Sequence, residues 1–435
     1  MVGFNKKTVK DISLAGKRVL LRADYNVPVE DGRIHDDYRI KKSLATIEYI
    51  LAQKPARLVI ISHLGRPEGA DKNLSLRPVA SHLAKLLGQP VSFASDCIGE
   101  QTKAIINNLR QGGIILLENL RFNPGEKNDD KRFADELAKT AGADIFVQDA
   151  FAVAHRRDAS LEAITRVLPS VGGLLLKEEV DTINQVMNKP AKPLLAIIAG
   201  AKMSDKIEML EKFISIADCV AVGGAMANNF LLVQGHKIGD SLFDEGTAGE
   251  AKRIIKLAEA EASRRPFSLL LPVDVVVAKD PYGRGPTRIV DSASQTVADI
   301  EAYPKKPSAS SYSVGKNEMI LDLGPVSAAK IAGVAQMSKT VIWNGPLGVV
   351  ETKGIAGATN PFAHAIRMVA EAIVGHSGQK FKPYSFVGGG DTAAFVEAEG
   401  LIESFSFVST GGGASLELMS GHNLPGISAL PDKSK

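Results

Sequence analysis

One device recurs through the second half of this chain and restricts its fold more than any other feature. It is a short apolar run, then a glycine cluster, then a segment of helical character. The device appears at Leu194–Gly200 before Ala201–Lys206, and at Cys219–Gly224 before Ala225–Leu232. It returns at Ser385–Gly390 before Asp391–Ala398, and at Phe405–Ser409 before Thr410–Gly413 and Ala414–Met419. Strands separated by helices of this length pair in parallel, because a parallel pair needs a crossover connection. Glycine lets backbone N–H groups approach a ligand closely, and a helix N-terminus offers unpaired donors and partial positive charge. Several such turns along one sheet edge predict a crevice suited to an oligophosphate.

The first half alternates in the same way. Strand patterns at Arg18–Ala23, Arg57–Ser62, Gly113–Glu118 and Ala143–Gln148 are interleaved with helical patterns at Ser43–Gln53, Pro78–Leu87 and Asp130–Ala141. A chain of 435 residues exceeds what one core usually organises. The expected fold is α/β: two doubly wound parallel-sheet (Rossmann-like) domains, 1–173 and 193–419, joined by a hinge helix in 174–192. Gly172-Gly173 precede the helical pattern Leu174–Met187, and Pro190 and Pro193 follow it. The polar, Ser- and Pro-rich stretch 305–316 reads as an exposed loop.

Composition narrows the function classes. Fifty-two basic against forty-nine acidic residues leave a net charge of +3, without the broad basic footprint of nucleic-acid binders. Anion recognition must therefore be local. Cys97 and Cys219 suggest neither a disulfide framework nor a zinc site. No apolar run approaches the roughly 20 residues needed to span a bilayer, and the N-terminus lacks a signal-type core. No membrane partner and a cytoplasmic setting are the expectation.

Ligands of open parallel sheets bind outside the carboxyl ends of the strands. In the first half those ends carry Arg22, Asp24 and Asn26; then His63 and Arg66; then Glu118, Asn119 and Arg121; then Asp149, His155 and Arg156. Arg39 follows the turn-like Asp36-Asp37. Converging arginines bind a small polyanion through charge-assisted hydrogen bonds, although each alone would read as a solvated surface residue. In the second half Lys202 and Lys206 are four apart, so on a helix they share one face at its N-terminus. Cations there oppose the helix dipole unless an anion sits between them. Asp391, directly after Gly388-Gly389-Gly390, reads as an N-cap, a Mg²⁺ ligand, or both. Glu351, beyond the Trp343–Gly348 loop with its constraining Pro346, is placed to accept ribose hydroxyls. No G-x-x-x-x-G-K-[ST] occurs, which removes the P-loop class, and no G-x-G-x-x-G closes a strand–helix turn.

At these residues the chain resembles the phosphoglycerate kinase family over nearly its whole length. The matching stretches run in order: RADYNVP (22–28), HLGRP (63–67), LLENLRF (116–122), DAF and AHR (149–156) and GAKMSDKI (200–207). LPVD (271–274), LDLGP (321–325), WNGPLGVVE (343–351), GGGDT (388–392) and STGGGASLE (409–417) continue them. The resemblance implies reversible phosphoryl transfer from 1,3-bisphosphoglycerate to MgADP, giving 3-phosphoglycerate and MgATP. It assigns the triose to Asp24, Asn26, Arg39, His63, Arg66, Arg121 and Arg156 of the N-terminal domain. The nucleotide is assigned to Gly200, Ala201, Lys202, Lys206, Gly224, Gly324, Asn344, Pro346, Glu351, Gly388, Gly389, Gly390, Asp391 and Thr392, with Asp391 on Mg²⁺. Catalysis is assigned to Arg39, Lys206, Lys202, Gly412 and Gly413, in a monomer whose residues 420–435 return to the N-terminal domain. Domain closure about the hinge helix accompanies turnover in this reading.

The chain departs from the family pattern at Asp158, Ala152-Val153, Asn228-Asn229, Phe407 and a longer 286–318 region. A carboxylate acceptor is already ionised near neutral pH, so the chemistry implied needs positioning and charge neutralisation rather than a general base. Two rivals stand beside it: a non-catalytic nucleotide-binding protein on the same fold, and a dehydrogenase with a divergent dinucleotide site.

Overall fold

The computed structural model describes residues 3–291, 313–352, 360–375 and 381–433. They form two compact units, Met1–Gln185 with Thr410–Lys435, and Val186–Ser409. Most of the stretch 305–316 expected to be a loop, up to residue 312, lies outside the described residues, as does much of the region 286–318.

The first unit is built on six parallel strands: β1 (Arg18–Arg22), β4 (Arg57–Ile61), β5 (Val91–Phe93), β6 (Gly113–Leu116), β7 (Ile145–Gln148) and β8 (Ser170–Gly172). Their order across the sheet is β5-β6-β4-β1-β7-β8, and a small hairpin of β2 (Val29–Glu30) and β3 (Arg33–Ile34) stands apart. The apolar runs are continuous because helices cover both faces. Val19, Leu21, Leu58, Ile60 and Leu116 enter one core, while Leu20, Val59, Ile61, Ile115 and Phe146 enter the other. Alternate residues of each strand thus serve opposite faces, and every one of these side chains is essentially inaccessible. Each such Leu or Ile contributes roughly 1.5–3 kcal/mol.

The second unit repeats the plan with β9 (Leu194–Ile198), β10 (Cys219–Val222), β11 (Ser268–Leu270), β15 (Thr340–Asn344), β16 (Tyr384–Gly388) and β17 (Phe407–Val408). These are parallel in the order β11-β10-β9-β15-β16-β17. An antiparallel sheet that the sequence patterns did not foretell adds β12 (Asp274–Ala278), β13 (Arg288–Asp291) and β14 (Met319–Leu323) in the order β13-β12-β14. Its short apolar runs, such as Val275–Val277, look like any buried strand, so periodicity alone could not reveal their antiparallel pairing.

The break between units falls at Gln185 and Val186, inside the helix Leu174–Asn188. The return to the first unit comes at Thr410, ten residues before the expected 420. Thr410 explains why: its N–H and its hydroxyl both donate to Oε1 of the fully buried Glu179, at 2.6 and 2.7 Å. Farther on, Gly426 N donates to Ala154 O at 2.9 Å and Lys7 N to Pro431 O at 3.0 Å. The chain end is therefore sewn into the first unit by main-chain bonds.

Candidate active site

In the first unit the loops after β6, β4, β1 and β7 are neighbours, because those four strands are adjacent in the sheet. Asp24 organises the cluster. Its Oδ2 lies 3.2 Å from Arg39 Nη1, and its Oδ1 accepts from Asn26 N at 3.1 Å. Arg39 Nη1 also donates to Asn26 O at 2.9 Å, and Asn26 Oδ1 accepts from Gly65 N at 2.8 Å. Arg121 Nη1 donates to Gly65 O at 2.6 Å. Loops from three strands are thus tied together through one carboxylate, one amide and two guanidinium groups.

His63 is the most constrained member. It is 1% exposed, and its Nδ1 faces Arg22 Nη2 at 3.2 Å and Asp24 Oδ1 at 3.6 Å. A guanidinium only donates, so Nδ1 accepts and the proton is assigned to Nε2. Burial, reinforced by Arg22, Arg156 and Arg39, holds His63 well below the ordinary imidazole range, so it is neutral and forms no ion pair with Asp24. Nε2–H is buried without an acceptor among the described residues, as is Nε of Arg121.

Of what supports this cluster, the strand-end pattern gave Arg22 but neither Ser160 nor Glu126. Arg22 is fully buried and donates to Ser160 Oγ at 2.9 Å, while Ser160 donates to Glu126 through Oγ at 2.6 Å and N at 3.0 Å. Burial pushes Glu126 up to about 7. Asp158 lies in the same surroundings, raised by burial and opposed by Arg22 and Arg156. Arg156 is half-buried and Arg66 exposed, and neither side chain is drawn into the hydrogen-bonded cluster.

In the second unit the loops after β10, β9, β15 and β16 are likewise neighbours. A recess of about 310 Å³ is lined by Gly200, Ala201, Lys202, Asp205, Lys206, Asn344, Gly345, Pro346 and Gly389–Thr392. Lys206 and Lys202 do not share a helical face as expected. Ser204–Lys206 is a single 3₁₀ turn, and the α-helix Ile207–Ile216 starts only beyond it. Lys202 is exposed, whereas Lys206 reaches Asn344 Oδ1. Because Oδ1 receives the ammonium, Asn344 Nδ2 is the side chain's remaining donor, and it is buried without a partner among the described residues.

The helix Gly390–Ala398 has Gly389 as its N-cap, so the amides of its first turn face the recess. Asp391 sits in that turn and is exposed, without a side-chain capping bond. Thr392 is fully buried, and its Oγ1 accepts from Gly345 N at 2.9 Å. Its hydroxyl therefore ties the β15 loop to the β16 helix.

Burial lowers Lys206 to about 8, partly offset by Asp391 and Asp205. The ammonium is present below pH 8 in the ligand-free protein and is lost as pH rises through that value. A bound phosphate raises this pKa, so affinity of the recess for a phosphate-bearing anion is expected to fall as pH climbs from 7 to 9.5, with proton uptake on binding. Calorimetry in buffers of different ionisation enthalpy reads both, and Lys206→Arg is expected to abolish the dependence.

A larger chamber of about 330 Å³ adjoins the recess and shares Gly200, Ala201, Pro346 and Asp391 with it. Its walls are largely apolar, with Leu242, Val275, Met319, Leu321 and Leu347, and it also includes Gly224, Asn228 and Glu351. Gly324 is not among them. The N-terminus of its helix, Pro325–Met337, is already occupied by Asp274, whose carboxylate accepts from Val326 N at 2.9 Å and Ser327 N at 2.7 Å. That glycine turn holds an anion of the chain itself. Gly411 and Gly413 also lie elsewhere than the repeated device suggested. They belong to the first unit, where a Cβ on Gly411 would meet the Phe151 ring at 2.6 Å and one on Gly413 would meet His155 Nε2 at 3.1 Å. Gly412 is the N-cap of the helix Gly413–Ser420.

Two doubly wound sheets, each with polar donors at its strand ends, define the chain as an α/β protein with two anion-binding edges by class. The family model described as phosphoglycerate kinase matches residues 9–422. Phosphoglycerate kinase of Pelotomaculum thermopropionicum is 40% identical over 98% of this chain and 100% of its own length. That of Caulobacter vibrioides is 41% identical over 98% of this chain and 99% of its own. The solved phosphoglycerate kinase of Coxiella burnetii superposes with a TM-score of 0.75 at 35% identity, each chain covered to 98%. That of Pyrococcus horikoshii reaches 0.78 at 28% identity, also with 98% of each chain covered. This chain belongs to the phosphoglycerate kinase family. Neither the scaffold nor the dehydrogenase reading is favoured by these relatives.

Proposed function

We propose that the chain transfers a phosphoryl group reversibly between the acyl phosphate of 1,3-bisphosphoglycerate and ADP, giving 3-phosphoglycerate and ATP. One observation supports the assignment of sites: among the described residues, buried donors without acceptors stand at the strand ends of both sheets, on His63 and Arg121 in one unit and on Asn344 in the other. The triose is assigned to Asp24, Asn26, Arg39, His63, Arg121 and Arg156. Arg66, exposed in this structure, is assigned to the triose phosphate. The nucleotide phosphates fall to Lys202, Lys206, Asn344 Nδ2 and the amides of Gly390–Thr392. Glu351 takes the ribose.

The acceptor carboxylate is ionised at neutral pH, so the barrier is repulsion between two anions. Arg39 and Lys206 neutralise the migrating group, and the Asp24 carboxylate holds the Arg39 guanidinium in place. Neutral His63 donates from Nε2 without adding charge. Triose and nucleotide are assigned to different units, so transfer requires the two to be brought in line. Gly412 and Gly413 are assigned a backbone role in the transfer, Gly413 from beside His155 and Gly412 as the N-cap of the helix Gly413–Ser420.

Mg²⁺ fits the residues present. No cluster of three or more His, Cys, Asp or Glu side chains suited to a metal occurs among the described residues, but Asp391 stands exposed beside the recess. One carboxylate is what Mg²⁺ uses when substrate phosphates supply its other ligands. When bound there it withdraws charge from the phosphate oxygens. Both ligand sets are carried by one chain, which supports a monomer, and the unpaired, buried Cys97 and Cys219 support a reducing, cytoplasmic setting.

The test is a coupled assay with 3-phosphoglycerate and MgATP, with and without EDTA. Turnover abolished by EDTA is expected, and absence of metal-dependent turnover overturns the reading. Arg39→Ala is expected to lower kcat by about 10²-fold while the Kd of ATP stays within about twofold. A near-normal kcat in that variant removes Arg39 from the chemistry.

A further inference from the structure

A line of buried hydrogen bonds runs beneath the strand-end cluster of the first unit, and its direction is fixed. Glu126, in the short helix Pro124–Lys127, is fully buried, and both its oxygens are spent on Ser160: Oε1 accepts from Oγ at 2.6 Å and Oε2 from N at 3.0 Å. Ala159 N donates to Glu126 O at 2.8 Å, so the backbone holds the pair together as well. A hydroxyl has one proton to give. With that proton on Glu126, Ser160 Oγ turns a lone pair to Arg22 Nε, 2.9 Å away. Arg22 is fully buried; its Nη1 donates to Ala23 O and its Nη2 to His63 Nδ1 at 3.2 Å. A guanidinium only donates, so the line cannot reverse while Glu126 accepts at its end.

The far end of the line faces a choice at Asp24. His63 Nδ1 lies 3.6 Å from Asp24 Oδ1, beyond hydrogen-bond distance, while Arg22 supplies the donor. An imidazole released from Arg22 is free to carry its proton on Nδ1 and turn it to Asp24. That carboxylate would then divide its charge between His63 and Arg39, whose Nη1 stands 3.2 Å from Oδ2. We infer that Glu126 and Ser160 are positioning residues of the triose site: by orienting Arg22 they keep the His63 proton off Nδ1, which leaves the Asp24 carboxylate to hold Arg39. The inference deepens the proposed function and rests on its assignment of the triose to this cluster. Glu126 and Ser160 act at a distance, since neither is assigned to the triose. Arg39 is, and its side chain is 23% exposed, open to a ligand.

The test uses the full chain at pH 8, above the value of about 7 to which burial pushes Glu126, so that the carboxylate is mostly ionised. In ligand-free protein labelled with ¹⁵N-histidine, His63 is expected to show the Nε2–H tautomer alone, its signals being identified by their loss in His63→Gln. Ser160→Ala and Glu126→Gln are each expected to bring up the Nδ1–H tautomer and to raise KM for 3-phosphoglycerate about tenfold, with KM for MgATP within about twofold. The double variant is expected to stay within about twofold of the worse single one, because both act on one line, whereas independent structural damage multiplies. An Nδ1–H tautomer in the wild type overturns the inference whether or not the variants fold. So does a folded Ser160→Ala that keeps the Nε2–H tautomer alone or the wild-type KM, and so does a double variant whose losses multiply. Because the tautomer is read without ligand, failure of the inference is distinguishable from failure of the triose assignment, which appears as absent turnover of the wild type with 3-phosphoglycerate.

Discussion

Lys206→Ala is expected to lower kcat by about 10²–10³-fold while raising the Kd of ATP less than about tenfold. The ammonium is held inside the recess by Asn344 Oδ1 and is largely withdrawn from water, which is why burial brings it down to about 8. A charge in such surroundings costs no reorganisation when the migrating phosphoryl group arrives between two anions. Its removal therefore falls on the transition state more than on the bound nucleotide. Lys202, exposed at the rim, is expected to behave oppositely: Lys202→Ala raises KM with little loss of kcat. Single-turnover kinetics with 3-phosphoglycerate separate the two patterns, and equal losses in kcat and affinity for Lys206→Ala would sink the assignment.

Gly345→Ala is expected to cost the second unit about 3 kcal/mol and to remove nucleotide binding. The residue turns the chain at the end of β15 with φ of +99°, a region closed to most side chains. A Cβ there would stand 1.9 Å from Ala199 O, which is backbone and cannot rotate away. The loop also depends on Gly345 N donating to Thr392 Oγ1, so any shift disconnects the β15 turn from the Gly390–Ala398 helix. Thermal unfolding is expected to shift down by about 6–12 °C. Gly333→Ala, in the helix Pro325–Met337 with nothing within 4 Å of the added carbon, is the contrast and is expected to stabilise by about 0.5–1 kcal/mol. If both substitutions destabilise alike, space at position 345 is not the cause.

The parallel α/β character was legible because continuous apolar runs such as Leu194–Ile198 have no other home than a sheet covered on both faces. The strand-end placement of Asp24, Asn26, His63 and Arg121 was legible too, since polar residues following such runs lie there. The antiparallel strands β12–β14 were not legible. Neither was the apolar chamber they help to wall, because Val275, Met319 and Leu321 look like ordinary core residues. Lys202 and Lys206 were misread as sharing a helical face, because a 3₁₀ turn and an α-helix cannot be told apart over three residues.

The repeated run–glycine–helix device determined, from sequence alone, that the second half folds as strands feeding glycine turns. It did not determine what each turn holds. Only the tertiary structure separates Gly389–Gly390, open to the recess, from Gly324, filled by Asp274, and from Gly411–Gly413, taken into the first unit. The physical reason is that a glycine turn fixes local backbone geometry, whereas its occupant is set by whichever group the rest of the chain brings beside it. At Gly324 that group is a carboxylate 50 residues earlier in sequence (324 − 274), and at Gly411 an aromatic ring 260 residues earlier (411 − 151).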